Sequence, residues 1–476
     1  MTWGLGLRSR LLIAAGVTLL GGAMTHGPAR AADLGGDCCS DLEDRVAELE
    51  ATTVRKGNKK VSVTLYGKLN KAVLFWDDGA EKSAYVVDNN YESSRFGIKG
   101  SAKIGGDWSA GFRLEAENLS ASSNMVNQLD DDDGTRSGGV LGNESRLLLL
   151  RQSYIYIDDK KLGQVRLGLT GTPIYNITKD TNVTELEDTT HSDDRMNMGF
   201  FLRPKGGNTE KDLSTLKWSD ISRCYGSSNA FVCSTRRNGV AYWTPNWEGF
   251  SASVGYFEND IWGAALRYQK EWGENWEVGG GFGYENYRDE NIQNSGGGLN
   301  GFKRDINEWA GSGSIKHKPT GLFFVGAYSN SENNDSNRQN AGIYDHTDSP
   351  EMNAYDLQIG IQRSIPWFGL DKLGESSFFG GFSNINDGIG GACGATRACK
   401  VGTFENVPIP TEITGANVDR WYLGYDQAMD AAGTLHLYTV YQHFTADVDL
   451  INSTLAHVGA PLDDFQLIYT GARLDF

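Results

Sequence analysis

The residues of this 476-residue chain that could do chemistry are mostly fixed charges. Arg95, Lys99, Arg113 and Arg166 fall on the polar side of alternating segments, and Arg146 and Arg151 lie close by. Further on, Asp180, Glu185, Glu187, Asp188, Asp193 and Asp194 crowd into one stretch with no clear periodicity. Such groups bind or orient ions; breaking bonds needs a nucleophile, a base or a metal as well. The chain has no H-E-x-x-H and no G-x-S-x-G, and its seven His are scattered. Gly281-Phe282-Gly283 lacks the third glycine of a dinucleotide fingerprint and lies in a strand pattern. The Asp130–Asp133 run misses the register of a calcium-binding EF-hand loop, with Leu129 and Val140 at ligand positions, and reads as a solvated loop. These patterns point to a non-enzyme with no cofactor and no metal.

Six cysteines form three close pairs, Cys38/Cys39, Cys224/Cys233 and Cys393/Cys399. In an exported protein the last two pairs could each staple a loop. The rival reading is a metal site, but no His stands at ligand spacing.

What positions these residues is a run of strands. Residues 1–31 read as a leader: Arg8 and Arg10, the apolar run 11–20, then Ala29-Arg30-Ala31. The apolar run is too short to span a membrane as a helix. Residues 32–60 form an N-terminal segment. Within it, 41–53 reads as a short helix whose Leu42, Val46 and Leu49 make under two coiled-coil heptads. From Val61 the period becomes two. Phe96, Ile98, Ala102 and Ile104 alternate with Arg95, Lys99, Ser101 and Lys103. Tyr355, Leu357, Ile359 and Ile361 alternate with Asp356, Gln358, Gly360 and Gln362. Each segment has one apolar and one polar face.

No later stretch approaches 18 apolar residues, so a membrane crossing would have to be made by a closed barrel. Connections alternate between short turns and mostly long segments. The first long ones are 77–91 and 119–145, the longest is about 171–237, and the last are 383–418 and 445–464. Eight long and seven short connections predict an all-β, transmembrane antiparallel β-barrel of about 16 strands with a short N-terminal helix, occupying 61–476. A barrel of that size leaves an aqueous channel. Trp76, Trp108, Trp262, Trp272, Trp276, Trp421 and Tyr469 read as membrane-interface girdles. The last strand ends on Phe476. The net charge of −17 argues against nucleic acid and suggests a cation preference.

Four stretches carry a resemblance. VSVTLYGKLNKAVLFW (61–76) is similar to the opening strand of the general Gram-negative porins. SSRFGIKGSAKIGGDWSAGFRLEAE (93–117) resembles their second and third strands. RQSYIYIDDKKLGQVRLGLTGTPIYN (151–176) and RNGVAYWTPNWEGFSASVGY (237–256) resemble the strands around their third loop. The N-terminal run resembles the alphaproteobacterial variety. This resemblance implies an outer-membrane homotrimer of 16-stranded barrels in contact with lipid and lipopolysaccharide. It implies passive diffusion of small hydrophilic solutes and ions. It also implies a third loop folded inward, here 171–237, whose acids (Asp180, Glu185, Glu187, Asp188, Asp193, Asp194) face a basic wall (Arg95, Lys99, Arg113, Arg146, Arg151, Arg166) across the constriction. Opposed charges across water disfavour apolar solutes and let dipolar ones align. The alternatives are a channel selective for sugars or oligopeptides, a surface protein tethered by its N-terminal helix, and an outer-membrane lipase or protease. An aromatic slide along the polar face would favour the selective channel.

Overall fold

A computed structural model describes residues 61–476 except 118–119, 132–148, 185, 187–194, 215, 225–230, 234, 290–303, 335–350, 366–372, 389–411 and 452–456. The leader, the helix at 41–53, Cys38 and Cys39 lie outside the described residues.

Eighteen strand segments form one antiparallel sheet. In chain order they are β1 (Val61–Asp77), β2 (Lys82–Asp88), β3 (Arg95–Gly105), β4 (Trp108–Glu117), β5 (Leu149–Asp159), β6 (Gly163–Gly171), β7 (Arg236–Trp243), β8 (Phe250–Phe257) and β9 (Trp262–Trp272). The remainder are β10 (Trp276–Asp289), β11 (Arg304–His317), β12 (Leu322–Asn333), β13 (Met352–Arg363), β14 (Ser376–Asn386), β15 (Glu412–Ala428), β16 (Leu435–Ile451), β17 (His457–Pro461) and β18 (Phe465–Asp475). β2 and β3 pair in turn with the upper and lower halves of β1, so they are one stave with a kink between them. β17 and β18 divide β16 in the same way. The staves therefore number sixteen. β1 also pairs with β18, from Lys68↔Asp475 to Asp77↔Gln466. That closes the ring and leaves no sheet edge, as a lipid environment demands.

The segment 77–91 is thus not an open loop. After a tight turn the chain returns as β2, with Val73 opposite Val86. Likewise 445–464 is mostly the continuation of β16 and β17. Both segments are rich in polar and acidic residues, which hid their pairing from a hydrophobicity pattern. Short turns join the staves at one end. Gly106 and Gly273, with φ of 57° and 62°, take the left-handed conformation that those turns require and other residues resist.

Outward faces carry Leu65, Phe96, Ile98, Ile155, Val254, Phe324, Ile359 and Leu423, all exposed on the isolated chain. This is the apolar band that meets hydrocarbon. Trp108, Trp262, Trp272, Trp276 and Trp421 belong to it. Trp76 and Tyr469 do not. They are 5% and 0% exposed and point into the barrel, so the girdle reading fails for both. β1, β12, β14, β16 and β18 turn buried apolar side chains inward, among them Leu74, Phe323, Val325, Phe379, Val440, Phe444, Phe465 and Leu467. The reason is the long connection 172–235, which packs against them.

Candidate functional site: the inner wall and the inward segment

The connection between β6 and β7 folds into the lumen. Its described residues include one short α-helix, α1 (Trp218–Ile221), and a 3-10 turn at Glu210–Asp212, and three sets of contacts hold it. Phe200, Leu202, Leu216, Trp218 and Ile221 pack on the inward rings of β1 and β15–β18. Trp218 lies 5.8 Å from Phe444 and 6.0 Å from Phe465 between ring centroids. Ile174, Ile177, Met198, Phe231 and Val232 pack on small inward residues such as Ala241, Ala265, Ala310 and Ala354. Hydrogen bonds then tie the backbone to the wall. Ser314 Oγ donates to the Thr181 carbonyl (2.6 Å), and Gln362 Nε2 donates to that of Thr184 (2.9 Å). Arg203 bridges Asp78 and Glu81 at 2.8 and 2.7 Å, linking the segment to the turn after β1.

Cys224 and Cys233 are joined in a disulfide with their Cα atoms 5.0 Å apart, inside the ordinary range for such bridges. Both are buried, and the Cys233 amide donates to both oxygens of Glu308 on β11 (2.8 and 3.0 Å). Cys393 and Cys399 lie outside the described residues.

The segment fills the side of the lumen lined by β7–β18 and leaves a strip along β3–β6. There the inner wall stays wet: Lys99, Ser101 and Lys103 are exposed, and Arg113, Tyr156 and Arg166 partly so. Among the basic residues named from sequence, Arg95 pairs with Glu92 and stands 3.8 Å from Glu115. Arg113 pairs with Glu115 at 2.7 Å. Arg151 pairs with Glu115 at 3.2 Å and also with Glu117, and it donates to Ser93 Oγ. Lys99 lies 5.4 Å from the centre of the Tyr66 ring. Arg166 lies over Tyr154 and Trp243, at 5.2 and 4.7 Å. Arg146 lies outside the described residues.

Of the acids, Asp180 is described. It faces Arg267 across 3.3 Å. Glu185, Glu187, Asp188, Asp193 and Asp194 lie outside the described residues. Asp180 keeps 35% of its side chain open. Even so, the surrounding protein displaces enough water to raise its carboxyl above the ordinary aspartate range, and Arg267 and Lys179 pull it back only in part. A raised carboxyl takes up its proton at higher pH than a free one, while Arg267 stays charged. Acidification from about pH 7 to about pH 4 should therefore raise the anion-to-cation permeability ratio, with a midpoint above the ordinary aspartate value of about 3.9. Reversal potentials across a salt gradient measure this, and Asp180→Asn should remove the pH step.

Several members of the site escaped the sequence reading. Glu115 is the hub: its side chain is 1% exposed and touches three arginines as well as the Tyr66 hydroxyl. Glu92 gathers Lys68 (3.8 Å), Arg95 and Lys179 (2.6 Å). Arg267 hydrogen-bonds the Pro173 carbonyl. The rings of Tyr66, Tyr154, Tyr156 and Trp243 line this wall, which pattern reading gave mainly to Gly, Ser, Arg and Glu. Strand parity was the available signal, since Glu115 lies two residues after Arg113.

Tyr66 and Tyr156 lie flat because each covers a glycine across the strand pair: Gly97 under Tyr66 and Gly111 under Tyr156. A Cβ on either glycine would clash with the ring. Gly97→Val should tip the Tyr66 ring into the lumen and lower single-channel conductance, while Gly105→Ala, where a Cβ meets open space, should not.

A profile of the Gram-negative porins matches residues 18–460. Among curated proteins, none matches the sequence. Among solved structures, the fold is similar to the anion-selective porin from Comamonas acidovorans, with 16% identity, 87% of this chain and 100% of that chain covered, and a TM-score of 0.50. OmpT, an outer membrane protein of Vibrio cholerae, aligns at 13% identity over 89% of this chain and 99% of that one, with a TM-score of 0.46. Salmonella typhi OmpF in complex with daunomycin aligns at 13% identity over 88% and 99%, also with a TM-score of 0.46. A closed sixteen-stave barrel and a family match over most of the length make this chain a member of the Gram-negative porins, a channel of the outer membrane.

Proposed function

We propose that the channel passes small hydrophilic solutes and ions passively, through an eyelet bounded by the β3–β6 wall and the first turns of the inward segment. Arg95, Lys99, Arg113, Arg151 and Arg166 form the wall side, and Asp180 belongs to the segment side. The observation that carries this reading is the wet, charged strip at Lys99, Ser101, Lys103 and Asp180, facing the inward faces that the 172–235 connection buries. A field fixed in a narrow aqueous passage discriminates by charge and size and needs no chemical step.

The test is bilayer conductance of the purified protein. Ohmic channels in salt are expected, and Arg113→Gln should shift the reversal potential toward cations. A correctly folded sample without conductance would remove the reading. Homotrimeric assembly, which the family resemblance implies, would give conductance steps in groups of three. The outward apolar band supports contact with lipid, and the family resemblance implies lipopolysaccharide as well. Deleting 41–53 separates the channel from the tethering reading: transport should survive if the channel reading holds.

A sugar-selective slide needs rings free to stack on a sugar. Here Tyr66, Tyr154 and Trp243 are occupied by Lys99, Arg113, Arg166 and Arg267.

A further inference from the structure

On the short-turn side of the eyelet, and sharing its Arg166, the inner wall opens into a cavity of about 370 Å³ between the β5–β6 and β7–β8 turns. In this architecture short turns face the periplasm. Strand register places three inward side chains in one row: Asp158 opposite Gln164, and Gln164 opposite Trp243. One step along β6, Arg166 stands opposite the small Ala241. That leaves its guanidinium room to lie over the indole of Trp243, 4.7 Å from the ring centre.

The charges in this cavity are not used up. Arg166 Nε donates to Gln164 Oε1 at 2.5 Å, and Gln164 Nε2 donates to Asp158 Oδ1 at 3.4 Å. One amide therefore holds a cation and a carboxylate apart in the same cavity. Among the described residues, neither Arg166 nor Asp158 has an ion-pair partner. The amide between them fixes a gap with a donor fork at one end and acceptor oxygens at the other.

We propose that this cavity is a binding station for a zwitterionic solute, an α-amino acid or short peptide, with its carboxylate on Arg166 and its ammonium on Asp158. In an α-amino acid the ammonium nitrogen and carboxylate carbon are two bonds apart, a span that fits a gap bridged by one side-chain amide. The guanidinium can take the carboxylate through paired N–H donors. Lys160 and Asp159 also line the cavity, so a plain anion would meet the carboxylates of Asp158 and Asp159 as well as the cations, and would leave Asp158 without a partner. A neutral sugar would find the indole face already taken by Arg166 and Arg267. Both ends are partly open to water, so binding is weak, with a Kd on the order of 1–10 mM, as suits a solute that must leave again.

The inference rests on the channel reading, and its test separates the two. Open-channel current noise would be recorded in about 0.1 M KCl, where screening is moderate, with glycine, acetate, methylammonium or glycerol added on the short-turn side. Saturable noise is expected with glycine and not with the other three. Asp158→Asn, outside the eyelet, should leave the KCl conductance at its wild-type value and weaken the glycine effect by about fivefold or more. That unchanged conductance also certifies the fold of the variant. Equal noise from acetate, or a glycine effect untouched by Asp158→Asn, would overturn the proposal. Absence of any KCl conductance would instead overturn the channel reading.

Discussion

Trp218→Ala should loosen the channel without unfolding the barrel. The indole is 1% exposed and is wedged between the inner wall and the rest of the inward segment, against Phe444 and Phe465. Its Nε1 makes no hydrogen bond among the described residues, so its contribution there is packing. Removing a buried tryptophan costs about 3–5 kcal/mol. The staves are held by their own ladder, closed at β1–β18, and do not depend on Trp218. The cost therefore falls on the docking of 172–235. Single-channel conductance should rise by roughly twofold, or flicker between levels, if that segment bounds the eyelet as proposed. Heat-modifiable migration on gels, the sign of an intact barrel, should not change. Trp218→Phe should keep most of the packing and the wild-type conductance. If the alanine variant conducts as the wild type does, the segment does not limit the pore.

Glu115→Gln should have the largest effect on selectivity. The substitution keeps the shape and removes the charge that Arg95, Arg113 and Arg151 share. Three guanidinium groups would then face one another across a narrow space. Breaking a buried ion pair costs about 3–5 kcal/mol. With the Arg113 side chain 35% open to water, about 2 kcal/mol is the better expectation. Two readouts follow. Reversal potentials should move toward anions, opposite in sign to Arg113→Gln, and the shift should shrink as salt is raised. The urea midpoint for refolding into detergent or lipid should fall. Unchanged selectivity in both variants would mean that this wall does not border the conducting path.

Much of the architecture was readable from residue order. Alternation at 95–104 and 355–362, short turns against long connections, and the absence of any long apolar run are each local, and each follows from strand geometry and the solvent on either side. The basic side chains were legible for the same reason: parity assigns Arg95, Lys99, Arg113 and Arg166 to the inner face before any pairing is known. Parity put Tyr469 on the same face as Arg473 and Asp475, yet the girdle reading of Trp76 and Tyr469 followed residue type, because a ring at a strand end fits an interface girdle as well as a lumen core. It also gave no weight to Glu115 over Glu117, since both share a face and differ only in which arginines reach them. The polar segments around β2 and β17 were hidden because their partners, not their own composition, make them strands.

The order of residues by itself determined a closed, lipid-facing barrel with a charged interior, because a two-residue period and a two-sided environment leave no other way to satisfy the backbone. Tertiary structure alone decided where within that barrel solutes can pass. The connection 172–235 carries no period of its own. Its apolar residues acquire a direction only on meeting Phe444, Phe465 and the small inward residues of β7, β9 and β11. Which part of the lumen fills and which stays wet is a matter of complementary surfaces brought together from distant parts of the chain.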